Sequence, residues 1–349
     1  MTETGKDSKP RRGRPPEGGP VTMATIGKLA GVSQVTVSRA LSNPEKVSAA
    51  AMERIQEAIR VTGFVPNALA GALASRKSCL ITALVPSITN VVYSSLLHGF
   101  SEIMRAEGYQ LMVSETGFSP ETEEALIFTH LSRRPDGILL TGIHHSATAR
   151  RMLLGAGIPV VEFWDITESP IDCCVGFSHT ESGRHTAEMA HGWGYRRAAT
   201  VAAGDQRALR RRDGFRNRFA ELSGHADIPA ITGEAGPASL QSGRAALAAL
   251  IEDHGFSGGV IQCSSDQSAL GILTEARIRG LRVPQDVAVI GFGDQDYAAF
   301  TDPPLTTVKV DRDRLGRAAA RAMLTRFRGE SDPDRVTDIG FELLRRASA

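Results

Sequence analysis

One short stretch holds side chains whose types and spacing suit the reading of nucleic-acid bases. After Ser33, the run Gln34-Val35-Thr36-Val37-Ser38-Arg39 offers an amide, hydroxyls, a methyl-bearing side chain and a guanidinium within two helical turns. Amides and hydroxyls hydrogen-bond to base edges, an exposed methyl meets thymine, and arginine takes a guanine or a phosphate. Other reactive groups are scattered. His144 and His145 follow an apolar run but lack further ligands at metal spacing, so they read as surface or cleft polar residues. In Arg210-Arg211-Arg212, one planar cation suits a carboxylate or phosphate, and the other two are expected in a solvated basic helix end. Cys79, Cys173, Cys174 and Cys263 show no CxxC spacing, and the adjacent pair would point to opposite faces of a strand, so they are read as reduced packing residues. No GxSxG follows a strand and opens a helix, and there is no P-loop and no GxGxxG after the first strand. No catalytic residue, metal or cofactor is assigned, and the chain is not read as an enzyme.

The elements that must position the base-reading run are short helices. Thr22 can cap a first helix carrying Ile26 and Leu29 on one face, and Gly31 supplies a tight turn. Ser33 can cap a second helix, Gln34 to Leu41, in which Val37 and Leu41 face inward while Gln34, Val35, Thr36 and Arg39 stay outside. Two helices joined by a short glycine-containing turn form a helix-turn-helix, whose second helix enters the major groove. Ser48 can cap a third helix with Met52, Ile55 and Ile59 inside and Gly63 at its end. A generic three-helix bundle would show the same stripes; the exposed amide, hydroxyl and small residues on the second helix favour DNA.

Length and charge describe a two-part molecule. The 349 residues predict two or three domains, and 42% hydrophobic content is ample for a sizeable core. Residues 1–79 hold 12 Lys/Arg against 6 Asp/Glu, so a net charge of +1 leaves the rest at −5. Positive charge sits where phosphates would be. No apolar run approaches the roughly 18 residues of a membrane span, and the polar N-terminus has no signal-like apolar region, so a cytoplasmic location is expected. Residues 1–20 are Pro/Gly-rich and expected to be disordered. Within them Pro10-Arg-Arg-Gly-Arg-Pro15 resembles an AT-hook core, with Arg12 and Arg14 along an A/T-rich minor groove; a basic tail with only phosphate attraction is the alternative.

From Cys79 onward apolar runs alternate with amphipathic stretches. LITALVP, YQLMVSE, GILLTG, PVVEFWD and DCCVGF read as buried strands, with helices near 92–107, 121–133 and 147–155. AATVAA, ADIPAIT, GGVIQCS and VAVIGFG follow, with helices near 180–193, 207–223, 239–253 and 266–279. Repeated strand-helix units predict parallel sheets in two Rossmann-like lobes, with ligand in the cleft at the carboxyl ends of the strands.

TIGKLAGVSQVTVSRALSNPEKVS followed by GFVPNALAGALASRKS resembles the headpiece and hinge of the lactose/galactose-repressor family of bacterial transcription regulators, and the resemblance runs through the chain after residue 20. It implies an N-terminal all-α helix-turn-helix headpiece with a hinge helix, and an α/β two-lobed periplasmic-binding-protein-like effector domain with parallel sheets. The implied bounds are a tail at 1–20, a DNA-binding domain at 21–66, a hinge and linker at 67–78 and an effector-binding and dimerisation domain at 79–349. Its N-lobe spans about 79–177 and 311–336, and its C-lobe about 178–310 and 337–345. DNA contacts are implied at Thr22, Ser33, Gln34, Val35, Thr36, Ser38 and Arg39. In the hinge, Asn67, Ala70 and a wedging Leu73 are implied to meet the minor groove. Pro66 fixes the start of that helix, while Gly71 makes so short a helix marginal until DNA and a partner hinge are present.

Carried over singly, the family's effector positions fall on Asn90, Tyr93, Thr141, Asp165, Phe177, Arg211, Ser265 and Asp294 or its neighbour. Gly293-Asp294 stands where many sugar-binding members have two aspartates, which puts a hydroxyl clamp from the first position in doubt. VPSITNVVYSSLLHGFSE, GYQLMVSETGFSPETEE, GIPVVEFWD and SPIDCCVGF look most like the gluconate-utilisation repressors of the family. That branch implies a homodimer on a near-palindromic operator, released by gluconate or a keto or phosphorylated relative. Two other readings stay open: a regulator that binds DNA only with its ligand, and a solute binder without DNA specificity.

Overall fold

The computed structural model describes residues 20–67, 77–234, 236–330 and 334–349. The expectations for Arg12, Arg14, Ala70, Leu73 and most of the hinge helix fall outside these residues. The chain divides into two compact units, Met1–Lys77 and Ser78–Ala349.

In the first unit α1 (Met23–Ala30), α2 (Gln34–Ser42) and α3 (Ala49–Thr62) surround a core of Ile26, Ala30, Val37, Ala40, Ile55, Ala58 and Phe64. Thr22 and Thr25 form a reciprocal capping box at the start of α1, and Gly31 ends it in the left-handed region at φ 66°. Two inward positions differ from expectation. Leu29 is 61% exposed and Leu41 39% exposed, and the neighbouring Ala30 and Ala40 face the core instead. The reason is close packing. A Cβ on Gly27 would lie 2.8 Å from the carbonyl oxygen of Val32, so α1 rides directly on the start of α2 and small residues fill the seam. Ser48 stands at the N-cap of α3 without a side-chain cap hydrogen bond.

The second unit has two lobes. The first is a six-stranded sheet in the order β11-β5-β4-β3-β1-β2, built from β1 (Leu80–Val85), β2 (Gln110–Glu115), β3 (Gly137–Thr141), β4 (Val160–Phe163), β5 (Cys173–Gly176) and β11 (Val336–Asp338). The second sheet runs β12-β10-β9-β8-β6-β7, from β6 (Ala198–Ala202), β7 (Ala230–Thr232), β8 (Val260–Cys263), β9 (Ala288–Phe292), β10 (Thr306–Lys309) and β12 (Glu342–Leu344). All pairings are parallel except β10 with β12. The first lobe carries α4 (Val91–Ala106), α5 (Pro120–Leu131), α6 (Ala147–Ala156) and α11 (Arg312–Phe327); the second carries α7 (His179–Gly192), α8 (Gln206–Ser223), α9 (Leu240–Glu252) and α10 (Asp266–Ile278).

The chain passes between lobes after β5, after β10 and after β11. Residues 337–338 therefore pair in the first lobe's sheet, on Val175 and Gly176, and not in the second lobe as the sequence reading had it. Arg346 and Ser348, beyond the expected end of that lobe, bond to β10 and β9. The run YQLMVSE is no buried strand either: β2 is an edge strand with Val113 40% exposed.

One close approach positions the cleft. Gly183 on α7 and Gly214 on α8 have no room for side chains, since a Cβ would lie 2.1 Å from Arg211 O and 2.4 Å from Thr180 O respectively. Backbone therefore meets backbone, which brings the first turn of α7 against Arg211.

Candidate recognition helix and interlobe cleft

In the first unit Ser33 Oγ accepts from the amide of Thr36 at 3.1 Å and shares a 2.9 Å hydrogen bond with its hydroxyl. These two side chains thus fix the start of α2; Ser33 is exposed and Thr36 half-buried. Gln34, Val35, Ser38 and Arg39 are exposed, Val35 at 65%. An amide, a methyl pair, a hydroxyl and a guanidinium stand on the outer face of a helix whose inner face is Val37 and Ala40. Arg54 of α3, which the sequence did not single out, donates from Nε to Ala30 O at 3.0 Å and satisfies the carboxyl end of α1. Thr22 is engaged with Thr25 in the capping box.

In the second unit the cleft lies at the carboxyl ends of parallel strands from both lobes. It has two recesses that share Phe118, Asp205 and Arg207. The wider, about 310 Å³, is lined by Thr116, Ser119, Glu123, Thr141, His144 and Asp165 among others. The narrower, about 80 Å³, has Asn90, Tyr93, Trp164, Arg211, Ser264, Ser265, Gln267, Phe292 and Gln295 in its wall.

The expected residues divide between these walls and the core. Asn90 caps α4, its Oδ1 accepting from Val92 N at 3.0 Å, and Ser265 caps α10 by accepting from Ser268 N at 3.2 Å. Tyr93 is buried edge-on to Trp164, and burial raises its phenol above the usual value. Thr141 donates its hydroxyl to Leu84 O at 2.9 Å. Phe177 lines neither recess. It is fully buried among Trp164, His179, Phe292 and Phe341 at the first interlobe crossing, directly after β5. Asp294 also falls outside: its backbone takes φ 46° and Oδ1 accepts from Arg346 at 2.7 Å, while the neighbouring Gln295 reaches the wall. The buried Asp266 holds the Gln295 amide at 2.7 Å, and burial pushes its carboxyl up to about 6.

Arg211 is the most constrained of the group. It is 6% exposed, lies 3.9 Å above the Phe292 ring, and donates from Nη1 to His179 Nδ1 at 2.7 Å and from Nη2 to Ser264 O at 2.9 Å. Its Nε is buried without a hydrogen-bond partner among the described residues. Burial lowers its pKa to about 10, so it keeps its charge at neutral pH. Since Arg211 donates to Nδ1, His179 is neutral with its proton on Nε2, which donates to Trp164 O at 2.9 Å. Burial, then the Arg211 charge, holds His179 well below the usual imidazole value.

The arginine run is not a solvated end. Arg210 pairs with Asp165 at 2.7 Å, and Arg212 with Asp213 and the Thr232 hydroxyl, each at 2.7 Å. Arg207 was missed, although it lines both recesses. The signal was present: Asp205 caps α8, and Arg207, Arg210 and Arg211 follow at i, i+3 and i+4 on one face. Trp164, Phe292 and Gln267 were also missed, having no motif of their own.

His145 is not a surface residue. Its side chain is fully buried, with Nδ1 2.7 Å from Glu123 Oε1 and Nε2 shared between Gly142 O at 3.2 Å and Glu162 Oε1 at 3.4 Å. Burial acts to lower its pKa, but the hydrogen bond to Glu123 and the nearby Glu162 carboxylate outweigh it and carry the value to about 9. His144 does line the wider recess, and burial, then Arg210, lowers its pKa. Among the described residues no group of three or more His, Cys, Asp or Glu could hold a metal ion, and no helix is long and apolar enough to cross a membrane.

Residues 22–67 match the family described as bacterial regulatory proteins, lacI family, and residues 187–349 match the periplasmic binding protein-like domain. The chain is 35% identical over 350 residues to the HTH-type transcriptional regulator GntR of Pseudomonas aeruginosa, covering 100% of both. It is 33% identical to the regulator of the same name from Escherichia coli K12, covering 91% of this chain and 95% of that one. Among solved structures, a LacI-family transcriptional regulator from Silicibacter pomeroyi is similar with a TM-score of 0.87 and 31% identity, covering 94% of this chain and 99% of that one.

Proposed function

This chain belongs to the lacI family of bacterial regulatory proteins and is a DNA-binding transcriptional regulator, and on that premise we propose that it is a cytoplasmic homodimeric repressor released from its operator by a sugar acid of the gluconate type. The observation that carries the effector reading is the buried Arg211, charged, stacked on Phe292 and with Nε unpartnered, beside Arg207 and the polar groups of Asn90, Ser265, Gln267 and Gln295. A guanidinium in a dry wall suits a carboxylate, and amides and hydroxyls around it suit a polyol chain. The resemblance to gluconate-utilisation repressors points to the same chemistry.

In this reading Gln34, Val35, Ser38 and Arg39 choose the operator, while Ser33 and Thr36 hold the turn that aims them. Two copies place these helices in successive major grooves, and the hinge around Asn67, Ala70 and Leu73 meets the minor groove between them. An acid that closes the lobes on Arg207 and Arg211 changes the geometry at the three crossings and loosens the hinge. A coupling of ~1 to 3 kcal/mol changes operator affinity ~5- to 150-fold.

The test is an operator gel shift with and without gluconate, preceded by a thermal-shift screen of sugar acids. Release by gluconate supports the proposal. Tightening would instead make the ligand a co-repressor, and absence of any sequence-specific shift would leave a solute binder.

A further inference from the structure

The step from Trp164 to Asp165 has a geometry that effector binding by itself does not explain. Trp164 takes φ 72°, a left-handed conformation that strains a bulky residue. Its amide donates to Val175 O at 3.1 Å, and its carbonyl accepts from His179 Nε2 at 2.9 Å. Asp165 then runs so close to Gly176 that a Cβ there would lie 2.4 Å from the Asp165 amide nitrogen. This turn aims a fully buried carboxylate across the cleft. Its Oδ1 accepts from Ile166 N at 2.9 Å, and its Oδ2 accepts from Arg210 Nη1 at 2.7 Å. Trp164 and Asp165 follow β4 of the first lobe, whereas His179 and Arg210 stand on α7 and α8 of the second. Each end of a strained step is thus held from the opposite lobe.

We propose that the Asp165–Arg210 pair is an interlobe latch, and that Asp165 is a built-in counter-ion competing with the effector's carboxylate, not an acceptor for its hydroxyls. The proposal rests on the sugar-acid reading of the cleft. Asp165 lines the wider recess beside Arg207, which that recess shares with the narrower one, and Arg210 holds Asp165 from the helix face that carries Arg207 and Arg211, so an acid drawn to Arg207 stands beside the pair. With a carboxylate already on Arg210, an incoming anion is repelled by Asp165 until it takes the guanidinium over. Freed from Arg210, the strained step keeps only the His179 tether, and the lobes can shift. The pair therefore sets both the charge of the effector that is accepted and the arrangement it must break.

The decisive variant is Asp165→Asn, nearly isosteric and still able to accept from Ile166 N. Titration calorimetry of the full chain with gluconate should show a Kd about 3- to 30-fold lower than that of the unaltered protein, from removal of a like charge at close range. The gluconate concentration that releases operator DNA should fall in parallel. A Kd that is unchanged or raised overturns the proposal, because an acceptor for sugar hydroxyls would lose affinity on this change. Asp165→Asn, Arg210→Gln and the double variant, compared by thermal unfolding without added acid, give a second arm. Their midpoint shifts should be non-additive, and strict additivity overturns the latch. Should the unaltered protein bind no sugar acid, the sugar-acid reading fails while this second arm still decides the latch.

Discussion

Replacing His145 by Gln should remove a pH-dependent contribution to stability that is confined to the second unit. His145 ties Glu123 in the first turn of α5 to Glu162 on β4 and to the carbonyl of Gly142 after β3. Its folded pKa is about 9 against an ordinary 6.5. At 1.36 kcal/mol per pH unit, that gap corresponds to about 3 kcal/mol. Below pH 6.5 both the folded and the unfolded chain carry the proton, and the contribution is whole. Between 6.5 and about 9 the unfolded chain releases its proton first, so stability falls as pH rises and the contribution is gone once pH passes the folded value. The assay is urea unfolding followed by tryptophan fluorescence at pH values from 6 to 10. Both tryptophans of the chain, Trp164 and Trp193, lie in the second unit, so the signal reports that unit alone. The unaltered protein should lose ~2 to 3 kcal/mol across this window. His145→Gln should start ~3 kcal/mol lower, since Glu162 is left buried without its cation, and should show a flatter profile. Parallel profiles for the two proteins would refute the argument, because the slope would then belong to other groups.

Gly27→Ala should weaken operator binding about tenfold or more by forcing α1 off the Val32 carbonyl, while calorimetry shows unchanged gluconate affinity. Arg39→Ala should cost ~1 to 3 kcal/mol against the operator, concentrated at one base position in a competition assay, whereas a uniform loss over all sequences would assign Arg39 to a phosphate. Arg211→Ala should weaken gluconate binding by ~1.5 to 3 kcal/mol with a much smaller effect on operator affinity, and equal losses in both would remove Arg211 from the cleft chemistry. On the acid side, neutral His179 resists protonation, so stability should decline as pH falls below 6.5, and His179→Gln should lessen that decline in the same fluorescence assay.

The recognition helix was legible because its determinants are local. Thr22, Gly31 and Ser33 mark helix ends by short-range hydrogen bonds and one left-handed residue, and these lie within a few positions of what they fix. The same locality explains the error at Leu29 and Leu41. Helical spacing cannot choose between Leu29 and Ala30, or between Leu41 and Ala40, for the inward place. The choice depends on how closely α1 meets α2 through Gly27. In the second unit, alternating apolar runs gave the strands and the cleft their places, but they could not tell the β2 edge from the buried β3.

The sequence alone thus determined a helix-turn-helix unit followed by a two-lobed parallel α/β unit, because caps, turns and periodic burial are short-range properties of the chain. The tertiary structure alone decided which polar groups face the cleft and with what charge. Arg211 became a buried cation through His179 and Ser264, 32 and 53 residues away, and Asp165 was claimed by Arg210 at a separation of 45. His145 rose from an apparent surface residue to a buried imidazolium through Glu123 and Glu162. Desolvation and pairing depend on which groups the fold brings within a few ångströms, and no local pattern in the chain encodes that.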